Sequence, residues 1–311
     1  MRYKRFNISA ITAIIIIVLL FPGISSGQLS GYEILKTEIS ARASSMGGAF
    51  VGISGDVHAL FYNPAGLTGI QEKIVSFTYL DHVMDFKAGN IIFSSTYGLN
   101  TRYGIGIKYI NYGTFEGRNV DGSDAPDYTP QDIVLTGGIA REYCSNLYYG
   151  VSGKLLYSKI ASYSSTLAAV DGGIIYKIPE QMLTFGVSAA NIGYVVSAYS
   201  ESKDDMPAML RGGFTKQLAH LPLLLSFEYR QFLNRDYQLV GGGEFTFSES
   251  FKGRLGYNSY GRDQKIGDEG GTLAGVSFGF GFIWQRYMFD YSFSSFGVIG
   301  SLQRLTFLWT F

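Results

Sequence analysis

From about residue 73 to its end, the sequence alternates apolar with polar or small residues and holds no helical period. In Tyr103-Gly104-Ile105-Gly106-Ile107-Lys108-Tyr109 one face is apolar or aromatic and the other is glycine or lysine. Phe251, Leu255 and Tyr257 alternate with Lys252, Arg254 and Gly256, and Tyr287, Phe289, Tyr291 and Phe293 with Met288, Asp290 and Ser292. Cutting this run at its turn signals predicts about fourteen strands, near 73–80, 85–96, 100–112, 131–142, 146–159, 166–178, 182–191, 207–217, 222–232, 237–248, 250–257, 271–283, 285–293 and 302–311. Most span about ten residues, the length a tilted strand needs to cross a bilayer. An even count leaves both ends of the run on one side.

Alternation alone fits a soluble sandwich as well as a membrane barrel, because both have one apolar face per strand. Loop lengths and composition separate them. The long connections, 113–130, 192–206 and 258–270, are the third, seventh and eleventh, all odd. The even ones are tight, as at Tyr97-Gly98-Leu99, 142–145, Pro179-Glu180-Gln181 and Ser248-Glu249. Bacterial barrels place short turns on the periplasmic side and longer loops outside. Charged residues are 16% of the chain, against roughly 25% in soluble domains. The 40 Gly, 23 Tyr and 23 Phe suit crowded, curved sheet with amphipathic rings at a membrane boundary. The expected fold is all-β: a transmembrane antiparallel β-barrel over 71–311.

Arg2, Lys4 and Arg5 precede the apolar run from Ile11 to Phe21, and Pro22, Gly23 and Ser25-Ser26-Gly27 follow. That order of charge, apolar run and small residues is a secretory signal peptide over 1–27, too short to be read first as a transmembrane helix. Cleavage after Gly27 exposes Gln28 rather than cysteine, so no lipid anchor is expected; an uncleaved anchor is the alternative. The implied location is the outer membrane of a Gram-negative-type envelope. Balanced charge, 25 basic against 25 acidic side chains, lacks the footprint of nucleic-acid binding. The single Cys144 excludes an intrachain disulfide and any multi-cysteine metal site.

Little in the sequence points to catalysis or to a cofactor. Of the three histidines, His58, His82 and His220, only Asp81-His82 suggests an acid–base pair, and adjacent strand residues point apart. The acidic stretch from Asp121 to Asp127 offers oxygen ligands to calcium but lacks EF-hand spacing, and reads first as a solvated outer loop. The stretch from Arg262 to Gly271 reads likewise as a loop tip. Lys108, Lys154, Arg211, Glu228, Arg230, Glu244, Lys252, Arg254, Asp290 and Arg304 fall on the inner strand faces. There they either pair and hold the barrel shut or line a water-filled conduit.

Between the leader and the strands lies residues 28–70, expected to form a small hatch inside or under the barrel. Its centre, 42–67, joins a small-residue half, with Met46, Gly47, Gly48 and Ala49, to a turn at Asn63-Pro64-Ala65-Gly66-Leu67. An ordinary strand-turn unit is the simpler alternative. Arg42-Ala43-Ser44-Ser45-Met46-Gly47-Gly48-Ala49-Phe50, then Asp56, then Asn63 to Leu67, resembles the N-terminal signature of the PorV/PorQ family of outer-membrane proteins. That signature is itself similar to the hatch of FadL-type fatty-acid channels. Stretches at 109–117, 154–160, 191–193 and 216–222 are similar to the PorQ branch. The alternating Leu305, Phe307, Trp309 and Phe311 resemble the C-terminal pattern that the barrel-insertion machinery recognises.

The resemblance implies a fourteen-stranded FadL-like barrel and a non-catalytic role in type IX secretion, as an anchor for an attachment complex with a sortase, PorV and a PorZ-like surface protein. In the alternative, the barrel passes hydrophobic molecules with the hatch as gate. That reading requires an apolar pocket beside the hatch or a lateral opening at a strand kink. A lumen filled throughout by paired charges would exclude it.

Overall fold

The computed structural model describes residues 32–82, 86–119, 121–200, 205–233, 237–260, 273–297 and 300–311. The proposed leader, 1–27, and the whole loop tip from Arg262 to Gly271 lie outside the described residues. The strands are β1 (Ile74–His82), β2 (Lys87–Tyr97), β3 (Thr101–Asn111), β4 (Phe115–Arg118), β5 (Asp124–Tyr128), β6 (Gln131–Cys144), β7 (Leu147–Ile160), β8 (Tyr163–Ile178), β9 (Leu183–Ser197), β10 (Met209–Gln217), β11 (Leu223–Phe232), β12 (Tyr237–Ser248), β13 (Phe251–Asn258), β14 (Val276–Trp284), β15 (Tyr287–Ser295) and β16 (Ser301–Thr310). All except β4 and β5 join one closed barrel, the fourteen strands expected, each antiparallel to its neighbours. Closure pairs β1 with β16 from Ile74 opposite Thr310 to His82 opposite Leu302. Lys73 and Phe311 exchange backbone hydrogen bonds at the seam. The seam leaves no sheet edge between β1 and β16, which is how a barrel satisfies its backbone polar groups in a medium that offers none.

The outer surface is apolar. Phe77, Ile91, Ile105, Leu155, Phe227, Leu255, Phe280 and Leu305 all point outward and are exposed. Tyr97, Tyr143, Trp284 and Trp309 mark the end with the short turns, and Tyr79, Tyr109, Tyr194, Tyr237 and Tyr257 lie toward the opposite, loop-bearing end. An apolar band between two aromatic girdles, around an interior rich in buried charge, is the distribution of a barrel facing lipid. Two stacked sheets, with apolar faces turned to each other, would show the reverse.

The interior is occupied by the segment that precedes β1. At the loop end it starts with a 3-10 turn, Glu33–Leu35. It then descends through α1 (Ala41–Ser45) and α2 (Ala59–Tyr62) to a 3-10 stretch, Pro64–Gly69. Ser40 caps α1 by accepting from the Ala43 amide, and Asn63 caps the Pro64–Gly69 stretch by accepting from Ala65. The wall opposite is glycine where the segment passes. A Cβ on Gly150 would collide with Pro64 and Ala65, one on Gly173 with Asn63, and one on Gly256 with Met46 and Gly47. Backbone therefore lies almost directly on backbone.

Several boundaries differ from the sequence reading, among them the start of β14, at Val276 rather than near 271. Ile192 to Ser197, expected as loop, continue β9, because Asn191, at φ 59°, forms a bulge opposite Asp171 rather than a turn. β10 pairs with β9 only as far as Ala190. The third connection is not plain loop either, since β4 and β5 fold into a hairpin on which Phe115 and Tyr128 stack at 5.7 Å.

Candidate functional site: the plugged lumen

Along its axis the lumen divides by chemistry. At the loop end Tyr32, Ile34, Leu35 and Ile39 of the plug pack with Leu80, Ala88, Ile110, Val134, Leu156, Leu167, Val195 and Leu302 of the wall in one apolar cluster. Tyr199, from the connection after β9, stacks on Tyr32 at 6.3 Å. At the turn end the plug has a core of its own, in which Phe50, Ile53, Leu60, Phe61, Tyr62 and Leu67 meet Ile92 and Ala140. Between these two apolar regions lies charge. The ten inner-face residues named from the sequence all turn inward, and all but Lys252 are buried.

These charges form two groups. On the β12–β15 side, Arg42 of α1 reaches Glu244 through both Nε and Nη2 at 2.9 Å and Asp56 through Nη1 at 3.1 Å. Arg254 joins Glu244, at 2.6 Å, to Asp290, and Lys252 lies 3.6 Å from Glu244. Three cations thus meet three carboxylates. Each ion has an opposite charge beside it, which is the condition under which buried charge is tolerated. In the other group Glu228 accepts the Phe50 and Val51 amides at 2.8 Å and the Arg230 Nε at 2.7 Å. Arg230 also holds the Glu38 carboxylate and the Gly48 carbonyl. Arg304 donates to the Glu38 carbonyl at 2.7 Å, Lys108 lies 3.5 Å from the Thr37 carbonyl, and Lys154 pairs with Asp171 at 2.6 Å. Here Lys108, Lys154, Arg211, Arg230 and Arg304 face only Glu38, Asp171 and Glu228. By formal charge the second group has five basic side chains to these three carboxylates, with the buried Asp132 further along β6.

The hatch residues singled out from the sequence fall in two places. Arg42, Gly47, Gly48 and Asp56 face the β11–β15 wall, where the Gly47 amide donates to Ser277 Oγ and both glycines take positive φ. Asn63, Pro64, Ala65, Gly66 and Leu67 form the turn-end base. Asn63 Nδ2 donates to Val51 O and Ile174 O, while the Gly66 carbonyl accepts from Gly55 at 2.8 Å. Phe307, Trp309 and Phe311 are far from both, at the turn end of β16 on the outside, with Trp309 and Phe311 4.6 Å apart.

Sequence reasoning missed two tethers. His58 Nδ1 lies 2.9 Å from Asp56 Oδ1 and Nε2 lies 3.2 Å from Ser76 Oγ on β1, an order reminiscent of an acid–base–nucleophile relay. Ser76 has no solvent exposure and sits where plug meets wall, so the set fastens the plug to β1. Its partners are eighteen residues apart, a separation without a motif. The second tether is Glu38, an isolated acid whose surroundings carry no warning of Arg230 and Arg304. Of the other candidates, Asp81 is exposed on β1 and the His82 side chain is outside the described residues. Arg118 pairs with Asp124 and Glu116 in the exposed β4–β5 hairpin. Among the described residues no group of three His, Cys, Asp or Glu side chains is placed to hold a metal.

Three solved structures share this architecture over nearly their whole length. The Pseudomonas putida toluene transporter TodX matches with TM-score 0.58 at 14% identity, over 92% of this chain and 98% of that one. The Ralstonia pickettii toluene transporter TbuX matches with TM-score 0.57 at 13% identity, over 86% and 97%. A Pseudomonas aeruginosa FadL homologue matches with TM-score 0.55 at 12% identity, over 87% and 98%. No protein-family profile and no curated protein matches the sequence. At such identities the likeness establishes the fold, a FadL-like barrel.

Proposed function

We infer that the protein is an outer-membrane channel for hydrophobic small molecules, gated by the plug at residues 32–70. The observation that carries this reading is the apolar cluster at the loop end, built jointly by residues 32–39 and the wall. A conduit for ions or sugars needs polar groups at its mouth; an apolar solute leaving water gains about 25 cal/mol for each Å² it buries in such a cluster. Apart from Asp132, hydrogen-bonded to Tyr112 and Ser158 beside the cluster, the buried charges lie beneath it rather than throughout, so the condition that would exclude a hydrophobic channel is not met. Beside the cluster the wall offers an irregularity, the Asn191 bulge beyond which β9 has no ladder to β10. The names of TodX and TbuX as toluene transporters agree with this substrate class.

The test is to lock the plug. Ser44 Oγ and Ser292 Oγ are 2.7 Å apart across the α1–β15 contact, a separation that suits a disulfide between Ser44→Cys and Ser292→Cys. In a Cys144→Ser background, oxidation is expected to abolish labelled toluene uptake by proteoliposomes, and reduction to restore it. Uptake unchanged by oxidation would sink the gate.

The type IX attachment reading rests on the PorV/PorQ resemblance and gains one structural argument, the β4–β5 hairpin projecting at the loop end with its exposed aromatic stack. In that reading a PorZ-like surface protein, a sortase or PorV docks there. Removing residues 113–130 would then eliminate co-purified partners while leaving the barrel folded.

A further inference from the structure

We propose that Lys108, Asn90 and Thr136 form a binding site for a small monovalent anion, of chloride size, trapped between the plug and the wall. Lys108 and Arg304 are the two buried cations with no carboxylate within ion-pair distance among the described residues. Arg304 is served by the Glu38 carbonyl and Ser294 Oγ, both at 3.0 Å or less. Lys108 has less: its Nζ reaches the Thr37 carbonyl at 3.5 Å and lies 4.3 Å above the Phe61 ring. A carbonyl at that range and a ring face do not replace the hydration of a buried ammonium.

The side chains around it are the second, independent sign. Asn90 on β2 stands directly opposite Lys108, and both its Nδ2 and its Oδ1 are buried without a hydrogen-bond partner. Thr136 on β6 is the diagonal neighbour on the other side, because Lys108 faces Val134 and Gly106 faces Thr136; its Oγ1 is also buried and unpartnered. All three side chains turn inward and are more than nine-tenths buried. Unsatisfied buried polar atoms are rare in folded proteins, and three flanking one under-compensated cation define a donor set. Lys108, the Asn90 amide and the Thr136 hydroxyl can each donate, leaving the Asn90 carbonyl for the ammonium. A water would satisfy the donors but leave a protonated Lys108 uncompensated; an anion answers both. The site is buried, with Phe61 and Val134 beside Lys108, so the proposed occupant is a small ion such as chloride.

The test uses the purified full-length protein in detergent, with chloride and gluconate compared at equal ionic strength. Gluconate is too large for the site. At about ten times the half-maximal concentration, chloride should raise the unfolding midpoint by roughly 2 °C. The double variant Asn90→Leu with Thr136→Val, which keeps Lys108, should lose that rise. No rise in the wild type, or an equal rise in the double variant, would overturn the proposal. Should the variant not fold, crystals of the wild type soaked in bromide decide: an anomalous peak beside Lys108 supports the site, and its absence there refutes it.

Discussion

Arg42 is held by two carboxylates that belong to different parts of the molecule, Glu244 on the wall and Asp56 on the plug, so it fixes the plug's fold and its docking together. Arg42→Leu leaves Arg254 and Lys252 on Glu244 and His58 on Asp56. The cost is therefore expected at the lower end for a broken buried pair, about 3 kcal/mol. It should appear as faster proteolysis of residues 32–70 in an intact barrel; digestion at the wild-type rate would contradict it. Asp56 adds a pH dependence. Burial raises its carboxyl, but the hydrogen bond and charge of His58, then Arg42 and the His58 amide, outweigh burial and hold it well below the usual carboxylate range. A carboxyl lowered on folding stabilises above its unfolded value, near ~4, and that contribution is lost as pH falls through and below this range. Plug release, followed by pepsin cleavage, should therefore rise below about pH 4, and the Asp56→Asn variant should show a flatter acid limb.

At the scale of elements, the plug is shaped by what the strands lack. Inward Gly173 admits Asn63, whereas a Cβ added to outward Gly153 would meet nothing within 4 Å. Gly173→Val should displace the Asn63–Leu67 base and expose the plug to protease, while Gly153→Val should leave it protected, though both add the same volume to glycines of the same barrel. Equal protection in both would mean the plug is not seated on the wall. The strands themselves were legible because one apolar and one small or polar face alternate with period two, and the inner-face charges followed from that phase. The plug's position was not legible in the same way, since its close approaches depend on register between residues more than a hundred apart, as with Asn63 and Ile174. Asn191 shows the limit at one residue. Its readiness for positive φ fits a turn or a bulge equally, and Asp171 Oδ1, accepting the Asn191 amide at 2.8 Å, decides for the bulge.

For the molecule as a whole, the strands turn exposed apolar residues outward and buried charges inward, so the surrounding solvent must be the apolar phase. Leu255 stands in the middle of the outer band on β13, 63% exposed, with Arg254 beside it turned inward and paired with Glu244 and Asp290. In water, Leu255→Arg would be neutral or improve solubility. In a bilayer the same change removes a favourable lipid contact and places a charge near the midplane, at a cost of about 2–4 kcal/mol that falls toward the girdles. Urea unfolding from liposomes should therefore show a clear loss for Leu255→Arg and a smaller one for Tyr257→Arg, nearer the loop end. Equal and negligible effects at both depths would mean that the exposed face of these strands does not meet lipid, and the channel and attachment readings would fall together.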